Sequence, residues 1–329
     1  MSTQKTNLNI VLGAALFGDV GSSGVRITDV GEVNRMLDVF QAHGHKEIDT
    51  SRAYSSGTAE KYLDKAHWES RGLVLGTKLY PNRAAGINHS PESLRKHLEI
   101  SLKELNAKKV FIYYLHAPDR STPFEETMKG VDDLYKEGLF EHFGLSNFMS
   151  WEVAQIVEVC ESKGYVKPTV YQGVYSAFQR AIEPELIPCL RHYKIAYYAY
   201  SPLAGGILTG NLRRDAPVEP GSRFDEAAGY GKPFRARYWK DQYFDAVESL
   251  RKAADVHGLT VAEVALRWIS HHSVLKRELG DAIVIGASSA AQLEKNLVDL
   301  EKGPLPEDVL QALDEGWAHV LPAAGKYWH

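Results

Sequence analysis

The sequence predicts an α/β fold in which eight parallel strands alternate with helices and close into a (β/α)8 TIM barrel, one domain spanning residues 1–329. Three observations predict it. Eight short runs rich in β-branched and aromatic residues recur along the chain: NIVLGAALFG, KEIDT, LVLGTKLY, KVFIYYLHA, FEHFGLSN, TVYQGVYSA, IAYYAYSP and AIVIGAS. Most are apolar without strict alternation, the pattern of strands covered on both faces. Helical patterns with one apolar face lie between the runs, and polar residues gather where the runs end.

Between the third and fourth runs, SPESLRKHLEISLKEL reads as an outer-layer helix. Ser90 can cap it, Pro91 suits its first position, and Leu94, Leu98, Leu102 and Leu105 share one face. Before the eighth run, TVAEVALRWISHH places Thr260 and Glu263 at capping-box spacing ahead of Val264, Leu266 and Trp268. Such alternation also suits a doubly wound sheet, but that fold carries GxGxxG after its first strand, and no such motif stands there. A barrel instead brings all eight strand ends to one mouth, where barrel active sites sit. Asp49, Lys78, His116, Ser146, Asn147, Gln172, Ser201 and Ser288 all fall at strand ends. The long Gly-, Pro- and charge-rich stretch 211–238, after the seventh run, reads as a lid over that mouth, with no domain boundary.

Composition excludes several classes of function. Hydrophobic residues make up 44% and charged residues 24%, the balance of a globular chain and not of a disordered one. A net charge of −4 offers no general attraction to nucleic acid or anionic membrane. Cys160 and Cys189 stand alone, without CxxC or Cys/His spacing, and read as buried free thiols with no metal site. The opening MSTQKTNLNIVLG lacks the pattern of a secretory signal, and no 18 consecutive residues are apolar, so the expected location is cytoplasmic.

In a barrel, Asp49, Lys78 and His116 end strands two, three and four, with Tyr54 in the loop after strand two. They share one corner of the mouth. A phenol titrates near 10 and is a poor acid at neutral pH, but a neighbouring ammonium stabilises its phenolate. Lys78 could supply that cation, Asp49 could keep it charged and aimed, and a His116 nitrogen could bind a carbonyl oxygen. Singly, each has a plainer reading: a turn-capping Asp, a solvated Lys, a rim Tyr, a core His. Only the combination at consecutive strand ends points to a proton donor with help in orienting a carbonyl.

The runs DTSRAY, GTKL, YLHAPD, GLSNF, YSPLAGGILTG and IGASSAAQLEKN resemble the aldo-keto reductase superfamily, in order and over nearly the whole chain. YLHAPDRSTPFEETM and RARYW resemble its aflatoxin-aldehyde-reductase branch. The resemblance implies a (β/α)8 barrel, a nicotinamide cofactor and reversible reduction of small aldehydes or ketones. It implies a catalytic tetrad of Asp49, Tyr54, Lys78 and His116, with Tyr54 as the acid. Ser146, Asn147 and Gln172 fall where the family holds the nicotinamide carboxamide, and Tyr200 where an aromatic stacks on its ring.

The stretch Ser201, Pro202, Leu203, Ala204, Gly205 and Gly206, continuing to Asn211, resembles the loop along the pyrophosphate. Gly286, Ser288, Gln292 and Asn296, at the start of a helix, and Arg223 in GSRF fall where the family binds the adenosine phosphate, which implies NADPH (NADP+) over NADH.

For the substrate, the expected wall is Phe17, Phe148, Arg237 and His116, with Asp19, Tyr80, the lid and the C-terminal tail nearby. The chain departs from the family at Asn211, where many relatives carry Lys, and at His329, where the branch carries Arg. His329 is only partly charged at neutral pH, which sets a preference for acidic aldehydes in question. Dimers in that branch make a homodimer one expectation. Two other functions stay open: a cofactor-binding regulatory subunit like the potassium-channel β subunits, and a sugar or pyridoxal dehydrogenase.

Overall fold

The computed structural model describes residues 5–227 and 231–329. Residues 1–4, at the start of the stretch read for a targeting signal, and residues 228–230 of the expected lid lie outside it. All eight expected strands are present: β1 Asn9–Gly13, β2 Glu47–Asp49, β3 Val74–Leu79, β4 Val110–Leu115, β5 Phe140–Ser146, β6 Val170–Val174, β7 Ala196–Tyr200 and β8 Ala282–Ile285. Each pairs in parallel with its neighbour in chain order, and β8 pairs with β1 to close the barrel. The fold is a (β/α)8 TIM barrel.

Period-two geometry sorts the strand residues into two buried layers. Leu12, Ile48, Leu115, Leu145, Tyr197 and Ile283 join the core between strands and helices, whereas Val11, Ile112, Tyr114, Val170, Tyr198 and Val284 form a separate cluster inside the barrel. Both faces of the strands are thus apolar, which explains why the runs lack alternation. Tyr114 fills the interior because two neighbours have no side chain. A β-carbon added at Gly144 would stand 2.2 Å from its ring, and one at Gly76 would stand 3.2 Å away.

The helix Pro91–Glu104 starts as expected, with the Ser90 hydroxyl accepting the Ser93 N–H at 3.3 Å and with Leu94, Leu98, Leu102 and Leu105 buried. Only half of the second capping box forms. Thr260 accepts the Glu263 N–H at 3.1 Å, but the Glu263 carboxylate pairs with Arg267 and Lys302, each at 2.9 Å. The Gly-, Pro- and charge-rich stretch 211–238 ends in a helix, Gly231–Tyr238. Cys160 is buried, while Cys189 is only partly so, its thiol donating to the Ser150 carbonyl at 3.4 Å. Among the described residues, no helix is long and apolar enough to cross a membrane.

Gly144→Ala forces a methyl into the Tyr114 ring, and overpacking of this kind costs about 1–3 kcal/mol. A lower urea midpoint is expected, partly restored by adding Tyr114→Leu; an unchanged midpoint contradicts the packing argument. His45 lies in the core with neither ring nitrogen paired among the described residues, and burial pushes its imidazole from 6.5 down to about 4. It stays neutral in the fold where the unfolded chain takes up a proton. Its contribution to stability is therefore full above pH 6.5 and is lost as the pH falls toward 4. Between pH 7 and pH 5 the wild type is expected to lose about 1–2 kcal/mol more stability than His45→Leu. Equal losses in the two proteins contradict this.

Candidate active site

Strand parity brings the first two site residues together. Glu47 and Asp49 share one face of β2, and Asp49 is registered beside Gly76 of β3, two residues before Lys78. At this mouth the Lys78 ammonium, only 1% exposed, directs its donors to three oxygens. They are Asp49 Oδ2 at 2.6 Å, the Thr50 carbonyl at 2.8 Å and the Tyr54 hydroxyl at 3.3 Å. Burial pushes the ammonium below the usual lysine range, and the Asp49 carboxylate opposes that shift. The second Asp49 oxygen accepts from Gln172 Nε2 at 2.7 Å, so the aspartate is anchored on both sides.

Tyr54 stands on a tight turn with two non-glycine residues in the left-handed region, Ser55 at φ 53° and Ser56 at φ 54°. Such strain persists only where surroundings hold it. Here the Arg52 guanidinium binds both the Glu60 carboxylate and the Gly57 carbonyl, and wholly buried Glu60 also accepts the Thr77 hydroxyl at 2.7 Å. Backbone bonds from Arg52 N–H to the Lys78 carbonyl at 3.1 Å and from Tyr54 N–H to the Ser51 carbonyl at 3.0 Å complete the turn.

His116 follows β4, its N–H donating to the Leu79 carbonyl at 3.0 Å and its carbonyl accepting from Asn147 Nδ2 at 2.9 Å. Burial, with the Lys78 charge adding to it, holds the imidazole well below its usual 6.5, so the ring is neutral at pH 7. The rings of Tyr54 and Tyr80 meet it edge-on, with centroids at 5.6 Å and 5.4 Å.

A cavity of about 490 Å³ opens from this corner. Asp49, Tyr54, His116, Asn147, Gln172 and Tyr200 line its first part, where the Tyr200 hydroxyl donates to Asn147 Oδ1 at 2.8 Å. Burial pushes that phenol up to about 12. Ser201, Pro202, Leu203, Gly205, Gly206 and Asn211 continue the wall, then Arg223, Gly286, Ser288, Gln292 and Asn296. Lys78 lies behind the wall, as do Ser146, which accepts from Asn147 Nδ2 at 2.9 Å, and fully buried Ala204. Three expected substrate contacts are placed elsewhere. Phe17 and Phe148 are wholly buried, because their rings join the core between strands and helices, the latter packed on Phe124. Arg237 is turned toward the hydroxyls of Tyr200 and Tyr238, off the cavity wall.

The wall also holds residues that no motif signalled. Arg26 after β1 and Glu219 pair at 2.9 Å, and Phe224 and Phe234 join them there; His329, singled out in the sequence, also lies on this wall. An ion pair between residues 193 apart in sequence leaves no local pattern to find.

The far end of the cavity suits a phosphate-bearing ligand. Just ahead of the helix Ala290–Leu300, the Ser288 N–H and hydroxyl converge on Gln292 Oε1 at 2.7 Å and 3.0 Å, so the two donors can serve one acceptor oxygen. A β-carbon at Gly286 would stand 3.7 Å from an Arg223 nitrogen, so the bare glycine leaves room beside that cation. Gly205 and Gly206, at φ 70° and φ 118°, turn the backbone along the middle of the wall. With amides and an aromatic ring at one end, and hydroxyls and a guanidinium at the other, the residues present fit a nicotinamide dinucleotide. Among the described residues no cluster suits a metal ion.

The chain matches the family model for the aldo/keto reductase family over residues 9–318. It is 48% identical over 336 residues to the aldo-keto reductase pigE of Monascus ruber, covering 99% of this chain and 98% of that one. It is 42% identical over 302 residues to human aflatoxin B1 aldehyde reductase member 2, covering 86% of this chain and 82% of the relative. A solved glycerol dehydrogenase from Gluconobacter oxydans has the same fold, with a TM-score of 0.73 at 22% identity, covering 96% of this chain and 93% of its own. On this agreement of sequence and architecture, the chain belongs to the aldo/keto reductase family.

Proposed function

We propose that the protein is an NADPH-dependent oxidoreductase that reduces small aldehydes and ketones to alcohols, with Tyr54 as the proton donor. The observation that carries this reading is the fan of hydrogen bonds from buried Lys78 to Asp49, Thr50 and Tyr54. The printed name of the human relative, an aldehyde reductase, supports the substrate class.

A nicotinamide held in the cavity supplies a hydride to the carbonyl carbon. The chain's own residues do the rest. Tyr54 meets the carbonyl oxygen and releases its hydroxyl proton to it as negative charge develops there. Lys78 stabilises the phenolate left behind, and Asp49 holds Lys78 in place. His116, being neutral, offers a ring N–H to the same oxygen and adds no charge. Asn147 and Gln172 would hold the carboxamide, with Ser146 behind them, and Tyr200 would back the nicotinamide ring.

Ser201, Pro202, Leu203, Gly205, Gly206 and Asn211 would run along the pyrophosphate, and Ser288, Gln292, Asn296 and Arg223 would hold the adenosine end, since all of them line the cavity. Arg223 favours a 2′-phosphate, because a guanidinium makes charge-assisted bonds to phosphate oxygens. Residues 211–238 serve as a lid, joined to the loop after β1 by the Arg26–Glu219 pair. Burial, with the Arg237 and Lys326 charges adding to it, pushes the His329 imidazole from 6.5 to about 4, so His329 itself offers no cation to a carboxylated aldehyde.

Tyr54→Phe is expected to lower kcat for 4-nitrobenzaldehyde about 10²–10⁴-fold, with NADPH binding, followed by fluorescence titration, unchanged. Undiminished turnover contradicts the assignment. Arg223→Ala is expected to weaken NADPH binding about tenfold or more and NADH binding far less, since only the former carries the 2′-phosphate. Equal effects on both coenzymes would remove Arg223 from that role.

A further inference from the structure

The turn between β2 and Tyr54 carries a hydroxyl that the proposed chemistry does not use. Ser51 is wholly buried, and its Oγ lies 3.0 Å from His116 Nδ1 and 3.2 Å from the Lys78 carbonyl. The same oxygen accepts the Ala53 N–H at 3.2 Å. Ser51 therefore has one proton and two acceptors within reach. His116 Nδ1 has no other hydrogen-bond partner among the described residues, and Nε2, on the opposite side of the ring, has none.

Two arrangements satisfy these contacts. In the first, the Ser51 hydroxyl donates to Nδ1, so Nδ1 is bare and the ring proton sits on Nε2. In the second, the hydroxyl donates to the Lys78 carbonyl. Nδ1 must then carry the proton and donate to Oγ, because otherwise two lone pairs would face each other across 3.0 Å, and Nε2 is left bare. A doubly protonated ring is disfavoured by its burial beside the Lys78 ammonium. The Lys78 carbonyl already accepts the Arg52 N–H at 3.1 Å, whereas Nδ1 depends on Ser51 alone. Both arrangements fill every contact, but the first sends the hydroxyl proton to the nearer acceptor, 3.0 Å against 3.2 Å, and to the one that has no other donor.

We propose that Ser51 is a positioning residue that fixes His116 as the Nε2–H tautomer by donating its hydroxyl proton to Nδ1. This rests on the reductase reading above, and adds to it the group that decides whether His116 can help Tyr54. With the proton on Nε2, a carbonyl oxygen beside Tyr54 gathers two donors. With Nε2 bare, it meets a lone pair, and the histidine opposes the substrate.

The test is long-range ¹H–¹⁵N NMR of histidine-labelled enzyme saturated with NADP+, with the His116 signal identified by its loss in His116→Gln. The wild type is expected to show a bare Nδ1 and a protonated Nε2 between pH 6 and 8. Ser51→Ala is expected to shift the ring toward the other tautomer and to lower kcat/KM about tenfold, while leaving NADP+ affinity unchanged. Ser51→Cys, which keeps a weak donor, should fall between. A wild-type ring protonated on Nδ1 overturns the proposal, as does Ser51→Ala with the wild-type tautomer and rate. If Ser51→Ala does not fold, the wild-type tautomer alone decides. Failure of the reductase reading is separate, since it shows as an active Tyr54→Phe whatever the tautomer of His116.

Discussion

Lys78 and Asp49 meet at 2.6 Å with both side chains almost wholly removed from water, and the geometry of the site depends on that contact. Burying an ammonium or a carboxylate alone is costly, and the cost is offset only where the partners are close and their remaining donors and acceptors are filled. Here the Thr50 carbonyl and the Tyr54 hydroxyl complete the ammonium, and Gln172 completes the carboxylate. Barrel closure makes this possible. It places β2 beside β3 with both residues at the same end, and the outer layers keep water from competing for the pair.

The strained turn carrying Tyr54 is held from the same strand. Glu60 reaches Arg52 on the turn and Thr77 on β3, so the element that aims the phenol is tied to the strand that carries Lys78. His116 joins through Ser51 on one side and Asn147 on the other. Asn147 in turn connects to Tyr200 and Ser146. The corner proposed for proton transfer and the wall proposed for the nicotinamide are therefore one hydrogen-bonded assembly. A change at Asn147 would reach His116 without substituting any residue of the tetrad.

Much of this was legible in the sequence for identifiable reasons. Parallel strands covered on both faces read as uninterrupted apolar runs, and all eight runs are strands. Polar residues ending such runs have one place to go, which is why Asp49, Lys78 and His116 could be grouped before their distances were known. What stayed hidden depends on contacts distant in the chain or on which way a loop side chain turns. Phe17 and Phe148 lie near strand ends as pocket residues do, yet their loops turn the rings into the core. The Arg26–Glu219 pair and the Ser51–His116 contact join residues that no spacing rule connects. The helix Gly231–Tyr238 was hidden by the Gly, Pro and charged residues around it, and Glu263 shows a capping motif whose acid prefers two nearby cations to its own helix end.

The account stands or falls on Lys78 as the buried cation that serves the Tyr54 hydroxyl. The most direct measurement is single-turnover hydride transfer by Lys78→Met, which keeps an unbranched side chain as far as Cε and removes the ammonium, with bound NADPH oxidation followed by absorbance. The account predicts a first-order rate lower than that of the wild type by about 10² or more, with NADPH still bound. A wild-type rate in that variant would contradict it.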